Sequence, residues 1–423
     1  MFARVRQKEN NMNTSKKIYV YFDIHENPQF MGILLVQFIR GKEIASFEFN
    51  PSWLTTHPSQ LLDPELQFFA GPQYSQKNNF GLFMDSAPDR WGRKLMQRRE
   101  IILAKQENRP IRPLQQSDYL LGVYDKTRMG GLRFKLSPDG SFLNDNQTIP
   151  TPPWTQLREL ENACRHLEKD ASMIETKKWL SMLIAPGSSL GGARPKANVC
   201  DNQNNLWIAK FPNHNDSNNT SAWEYITMQM AKDIGLNTPE IRLEKFSKYG
   251  STFLVKRFDR QKERRIHFAS AMTLLNQTDG ANATNNISYL DLAEFIVEHC
   301  TNITENLQEL WTRMTFSIAV SNTDDHLQNH GFLLTDQGWT LSPVYDINPN
   351  PDGYGLSLNI SDMDNSLDFH LAEEVAPYFR IDNNQMNTIL KKIRTVVSHY
   401  KKYASCCHIP NNEIESMQNA FQY

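Results

Sequence analysis

At 423 residues, with 39% hydrophobic and 22% charged side chains, the chain has globular composition and enough length for two or three domains of about 150 residues each. A formal charge of −2, from 45 basic and 47 acidic residues, provides no broad cationic surface and disfavours nucleic acid as the main ligand. No apolar run approaches the roughly 20 residues of a membrane span, and the opening "MFARVRQKENNMNTSKK" lacks the apolar centre of a secretory signal, so a cytoplasmic protein is expected, with no membrane partner.

The stretches "KIYVYFDI", "FMGILLVQFIR" and "KEIASFEF" between residues 17 and 49 are β-rich, with Gly41-Lys42 punctuating the last two, and predict a small antiparallel sheet. After them, "DSAPDRWGRKLMQRREIILAKQ" predicts a helix capped by Ser86 or Asp85 with Pro88 near its first turn. Its basic cluster, Arg90, Arg93, Lys94, Arg98 and Arg99, is taken as a solvated face. The Pro-, Gly-, Asn- and Asp-rich segment 137–154 marks turns and a domain boundary. The five cysteines, Cys164, Cys200, Cys300, Cys406 and Cys407, are odd in number and scattered, so reduced thiols are expected.

Beyond residue 154 the pattern is mixed α/β. In "PGSSLGGARPKANVCDNQNNLWIAKFPNH", Ser188, Ser189, Gly191 and Gly192 form a small-residue loop whose amides could approach phosphate oxygens, followed by two strands, the second carrying Lys210. "SAWEYITMQMAKDIG" places Trp223, Ile226, Met230 and Ile234 on one stripe of an amphipathic helix. Glu224 borders that stripe, either free in solvent or paired with Lys210 as a helix glutamate is in protein kinases. "TFLVKRFDR", 252–260, reads as a strand running into charge, where a two-lobed kinase would meet the adenine ring. Thereafter the chain is nearly all helical: Leu307, Leu310, Trp311, Met314 and Ile318 recur at helical spacing, with Thr304 placed to cap.

That helix leads into "SNTDDHLQNHGFLLTDQGWTLSPVYDINP", residues 321–349. Asn329 follows Asp324 by five residues, the interval of a phosphoryl-transfer loop in which Asp orients the acceptor hydroxyl and Asn holds magnesium. "GFLL", "TDQG" and "WTLS" then read as strand, turn and strand, so that Asp346 is expected to return beside Asn329 and share a hard-oxygen magnesium site. His326 is expected to orient the loop by hydrogen bonding. A competing reading uses His326 and His330, spaced i, i+4, with Asp324 or Asp346 as a transition-metal site for hydrolysis.

Together "SSLGGARPKA", "LVKRFDR", "RIHFASAMTLL", "SYLDLAEFI", "NTDDHLQNHGFLL" and "LSPVYDINP", preceded by "SAPDRWGR" and "DYLLGVYDKTRMGGLRF", resemble the HipA family of bacterial toxin kinases over nearly the whole chain. The resemblance implies an α+β protein. It has a two-lobed protein-kinase-like core, with a mixed N-lobe over 141–260 and a mostly helical C-lobe over 261–423, and a small β-rich domain at 1–140. It implies a Ser/Thr protein kinase using ATP and Mg2+. Asp324 matches the catalytic Asp, Asn329 and Asp346 the metal ligands, Lys210 with Gly191 and Gly192 the phosphate-binding elements, and Lys256 to Phe258 the adenine-contacting linker. Ser189, with Ser188 beside it, matches an autophosphorylated loop serine, although Arg194-Pro195 stands where the best-known toxin has a polar-acidic pair. The resemblance further implies a small DNA-binding, HipB-like antitoxin, with DNA reached only through it, and a protein substrate such as an aminoacyl-tRNA synthetase. A non-catalytic kinase-shaped docking module and a small-molecule kinase remain as alternatives at this stage.

Overall fold

In the structure, a computed structural model, the described residues are 15–24, 27–57, 60–145, 151–168, 183 and 192–423. The first sheet is antiparallel and runs β4-β3-β2-β1-β5, from β1 (Ser15–Phe22), β2 (Gln29–Ile39), β3 (Lys42–Phe49), β4 (Gln73–Tyr74) and β5 (Leu132–Lys135). Alternation on β1 sends Ile18, Val20 and Phe22 inward, as a two-residue period requires of a half-buried strand. Their core is continuous with that of the C-terminal helices, taking in Phe80, Phe83, Leu307, Leu310 and Trp311.

The second sheet, in the order β6-β7-β9-β8, contains β6 (Lys196–Cys200), β7 (Leu206–Lys210), β8 (Ile241–Ser247) and β9 (Gly250–Lys256). Both of its faces are covered. Ile208, Phe253 and Val255 pack on the helix Thr220–Ile234, while Trp207, Ala209 and Leu254 pack on the helix Leu157–Glu168 and on Trp91 and Leu95 of the helix Arg90–Gln106. The amphipathic stripe of Trp223, Ile226, Met230 and Ile234 is buried as predicted, and Gly235 closes that helix at φ 99°. After a two-residue ribbon of β10 (Arg260–Gln261) and β11 (Arg264–Arg265) comes a third sheet. In it β12 (His267–Ser270) pairs with β13 (Gly331–Thr335), which forms the expected hairpin with β14 (Gly338–Leu341). Helices Tyr289–His299, Ile303–Ala319 and Asn383–Ser398 make up most of the rest. All five cysteines are unpaired thiols.

Two predicted caps are corrected. The helix Arg90–Gln106 is capped by Asp89, whose carboxylate accepts from the Gly92 amide at 2.8 Å. Asp85 and Ser86 are engaged elsewhere: Asp85 ends the short helix Gly81–Met84 and accepts from the amide and hydroxyl of Ser270, and Ser86 donates to the Phe83 carbonyl. The helix Ile303–Ala319 starts at Asn302, in the left-handed region at φ 49°, while the Thr304 hydroxyl accepts from Arg380 at 2.9 Å.

Trp311 is fully buried, and its indole N–H donates to the Ala372 carbonyl at 2.7 Å. Trp311→Ala is therefore expected to cost about 3–5 kcal/mol, read as a fall in the urea midpoint. Asp85 provides a pH signature. Burial raises its carboxyl to about 6, against the pull of the Ser270 bonds. The unfolded chain ionises this group near pH 4 and the folded chain only about two units higher, so stability falls as pH rises through that window and levels off above it. Asp85→Asn should remove that fall. Urea midpoints from about pH 4 to about pH 7 check it, and a variant that tracks the wild type throughout would contradict it.

Candidate active site

The helix Ile303–Ala319 ends in a tight reversal at Ser321, φ 48°, that releases the loop carrying Asp324. The Asp324 side chain is 79% exposed, which leaves its carboxylate open to an incoming group. Partial burial raises its pKa and the nearby Asp346 and Asp325 charges add to this, while His326 acts against it. Asp325 points the other way, into the core, where it accepts from the hydroxyls of Tyr289 and Ser317 and meets His330 Nε2 at 2.9 Å. Although burial opposes ionisation there, His330, Tyr289 and Ser317 keep Asp325 a carboxylate. This buried cluster fixes the loop. The His326 ring, expected to do so, holds its Nε2 3.9 Å from Asp324 Oδ1, too far for a hydrogen bond; only its backbone amide donates to the Asp324 carbonyl, at 3.0 Å.

A single 3-10 turn, Leu327–Asn329, follows, so His326 and His330 are not on one α-helical face. Among the described residues no cluster of three or more His, Cys, Asp or Glu could hold a metal, and nothing supports the hydrolase reading. Asn329 donates through its Nδ2 to the Asp324 carbonyl at 2.7 Å, and its Oδ1 is buried without a hydrogen-bond partner among the described residues.

The hairpin β13–β14 returns the chain to this edge. The Tyr345 hydroxyl donates to the Gln328 carbonyl at 2.8 Å, and the Asn348 amide donates to Asn322 Oδ1 at 3.0 Å, so Asp346 is pinned to the Asp324 loop from both sides. Thr227 on the helix Thr220–Ile234 adds a third tie by donating to the Ile347 carbonyl at 2.6 Å. Between these ties Asp346 itself takes φ 61°, a left-handed backbone that Asp tolerates and that structures retain where surrounding contacts over-determine it.

Lys210 comes from the opposite lobe. Its ammonium donates to Glu224 at 2.5 Å and to Asp346 at 2.6 Å, and Lys210 and Glu224 are both buried. The choice left open for Glu224 is thus settled in favour of the pair. Burial works against the Lys210 charge, but Asp346 and Glu224 outweigh it and hold the ammonium protonated above its ordinary range. Asp346 is half-buried, and although burial opposes its charge, Lys210 and then Lys196 hold it well below the usual carboxylate range.

Next to this triad a cleft runs between β7, β9 and the segment Lys256–Phe258, with Ile208, Met228, Phe253, Val255, Phe258 and Tyr345 on its walls. Phe258 packs on Tyr345 with ring centroids 5.7 Å apart, and Lys256 reaches Glu240 at 3.4 Å. The cleft is lined mostly by apolar side chains and ends in Lys210, Glu224 and Asp346. Of the small-residue loop, Ser188, Ser189 and Gly191 lie outside the described residues; Gly192 is within them, at φ 91°. Arg194 forms a two-point pair with Asp216, at 2.8 and 2.6 Å, and the Pro195 carbonyl accepts from the Phe211 amide.

The donor set suits magnesium. Asn329 Oδ1 and Asn348 Oδ1 are buried hard oxygens without partners among the described residues, and Asp346 is an ionised carboxylate that also accepts from Asn348 Nδ2 at 3.1 Å. Asn348 escaped the sequence reading, although its place two residues after Asp346 in "DINP" was a usable signal. The Asp325, His330 and Tyr289 cluster also escaped it, because Tyr289 lies 36 residues away on another helix.

The family model described as "HipA-like C-terminal domain" matches residues 188–400. A Haemophilus influenzae protein with a provisional kinase name is 27% identical over 194 residues, 41% of this chain and 56% of its own length. The Shewanella oneidensis protein named serine/threonine-protein kinase toxin HipA is 25% identical over 226 residues, 46% of this chain and 50% of its own. The chain thus spans about half the length of these curated relatives. Among solved structures, a chain from the Shewanella oneidensis complex of HipA, HipB and operator DNA superposes with a TM-score of 0.65 at 18% identity, covering 96% of this chain and 95% of that one. With its kinase-like α+β fold and half its length matched by the family's characteristic domain, the chain belongs to the HipA family.

Proposed function

We propose that the chain is an ATP- and magnesium-dependent Ser/Thr protein kinase of the HipA toxin type, acting in the cytoplasm on a bacterial protein. The observation that carries this reading is the ion pairing of Lys210 with both Glu224 and Asp346 at the end of an apolar cleft, with the Asp346 loop tied to the segment of Asp324 and Asn329 through Tyr345 and Asn348. In the mechanism, Asp324 orients the acceptor hydroxyl and takes its proton as the oxygen bonds to the γ-phosphorus. The bond from that phosphorus to the bridging oxygen breaks, and ADP leaves. The environment that raises the Asp324 pKa makes it a better base than an isolated aspartate. Lys210 and the amides around Gly191 and Gly192 would position the phosphates, and Lys256 to Phe258 would border the adenine. Asn329 and Asp346, joined by Asn348, would hold magnesium, which when bound neutralises charge on the transferring phosphates.

The further parts of the proposal rest on family membership. Phosphate on Ser189, or on Ser188, would bring nearly two negative charges into a site built for ATP phosphates and lower nucleotide affinity. The HipA, HipB and operator DNA complex of the structural neighbour supports a small DNA-binding antitoxin as partner. The toxin name of the Shewanella relative supports growth arrest through a protein substrate, with an aminoacyl-tRNA synthetase as the candidate class.

Since phosphoryl transfer depends on positioning and charge, Asp324→Asn should reduce transfer of labelled phosphate by a factor on the order of 100 or more. It should leave the nucleotide-dependent rise in melting temperature in place. Wild-type turnover in this variant would refute the role assigned to Asp324. Lys210→Met strands Glu224 and Asp346 as neighbouring carboxylates and should abolish the melting shift produced by Mg·ATP. A full shift in that variant would remove Lys210 from the phosphate site.

A further inference from the structure

The motif "SAPDRWGR" belongs to the N-terminal β-rich part of the chain, yet it reaches the nucleotide site. Asp89 Oδ2 lies 3.1 Å from Lys196 Nζ, with only 6% and 3% of the two side chains exposed. The Trp91 indole donates to the Lys196 carbonyl at 3.1 Å, so the same segment holds both ends of that residue. Lys196 sits on β6 directly opposite Lys210 in the sheet register. A Cβ added to Gly192 would come within 3.1 Å of the Lys196 ammonium, and its charge is felt at Asp346. Two lysines therefore stand opposite each other on paired strands, and the charge of each acts on Asp346.

Resting on the kinase reading above, we infer that Asp89 is a positioning residue that acts through Lys196. It holds this second ammonium at the phosphate loop and keeps it from neutralising Asp346. A buried ammonium deprived of one carboxylate turns toward the next. With the Asp89 charge removed, Asp346 is the carboxylate whose field Lys196 already shares, and an ion pair there would displace the group meant to hold magnesium. The N-terminal part of the chain is in this way built into the catalytic site of the kinase core.

The two oxygens of Asp89 separate structure from charge. Oδ1 caps the helix Arg90–Gln106, a task Asn performs as well, and Oδ2 pairs with Lys196. Asp89→Asn therefore keeps the cap and removes the charge that pairs with Lys196. The test titrates magnesium into full-length protein with a non-hydrolysable ATP analogue and follows the melting shift. Asp89→Asn should need roughly 10-fold more magnesium for the same shift, the scale on which residues behind a metal ligand act. Lys196→Met should weaken analogue binding, and the double variant should match Lys196→Met alone, because Asp89 acts through that lysine. A wild-type magnesium requirement in Asp89→Asn, wild-type analogue binding in Lys196→Met, or additive losses in the double variant would each overturn the inference while leaving the kinase reading standing. Should Asp89→Asn not fold, Lys196→Met decides the matter by itself. A wild-type protein that shows no shift at all sinks the kinase reading, and this inference with it.

Discussion

One buried ammonium holds the site together. Lys210 lies between Glu224 on a helix of the N-lobe and Asp346 on a loop of the C-lobe, so a single cation spans the two halves of the core. Charges withdrawn this far from water are tolerable only when each is satisfied, since removing one strands the others. This constraint explains the surrounding architecture. β7 places Lys210 next to the helix Thr220–Ile234, Thr227 of that helix holds the Asp346 loop, and Tyr345 and Asn348 anchor the loop to the segment that carries Asp324. The left-handed backbone at Asp346 is maintained by the same ties.

Around this centre the two aspartates of "TDDH" illustrate how environment separates roles. Asp325 is buried and paired with His330 and two hydroxyls, which makes it a rigid anchor. Asp324, its neighbour in sequence, turns outward with its side chain largely exposed and its acidity weakened, which leaves it free to meet a substrate. Adjacent residues of the same type thus differ in environment because the backbone sends one carboxylate inward and the other out.

The β-rich N-terminal part is also more than an appendage. Its sheet shares a continuous core with the C-terminal helices, Asp85 reaches Ser270, and Trp91 and Leu95 pack against the N-lobe sheet. Packing and charge thus tie the β-rich part to both the N-lobe sheet and the C-terminal helices.

Much of this was readable from local pattern. The Asp324, Asn329 and Asp346 spacing, the hairpin between them, the strand bearing Lys210 and the stripe of Trp223, Ile226, Met230 and Ile234 are all short-range features, and strand or helix periodicity exposes them directly. The caps were misjudged because several Ser, Asp and Thr residues near each helix start could serve, and only tertiary demands on Asp85, Ser86 and Thr304 left Asp89 and Asn302 in place. The partners of Lys210, the inward turn of Asp325 toward Tyr289 and the approach of Asp89 to Lys196 join residues 14 to more than 100 positions apart. Sequence by itself determined which side chains could do the chemistry, since residue type and spacing are local properties. The tertiary structure alone decided which charges meet, because burial and charge pairing depend on what the rest of the chain brings near.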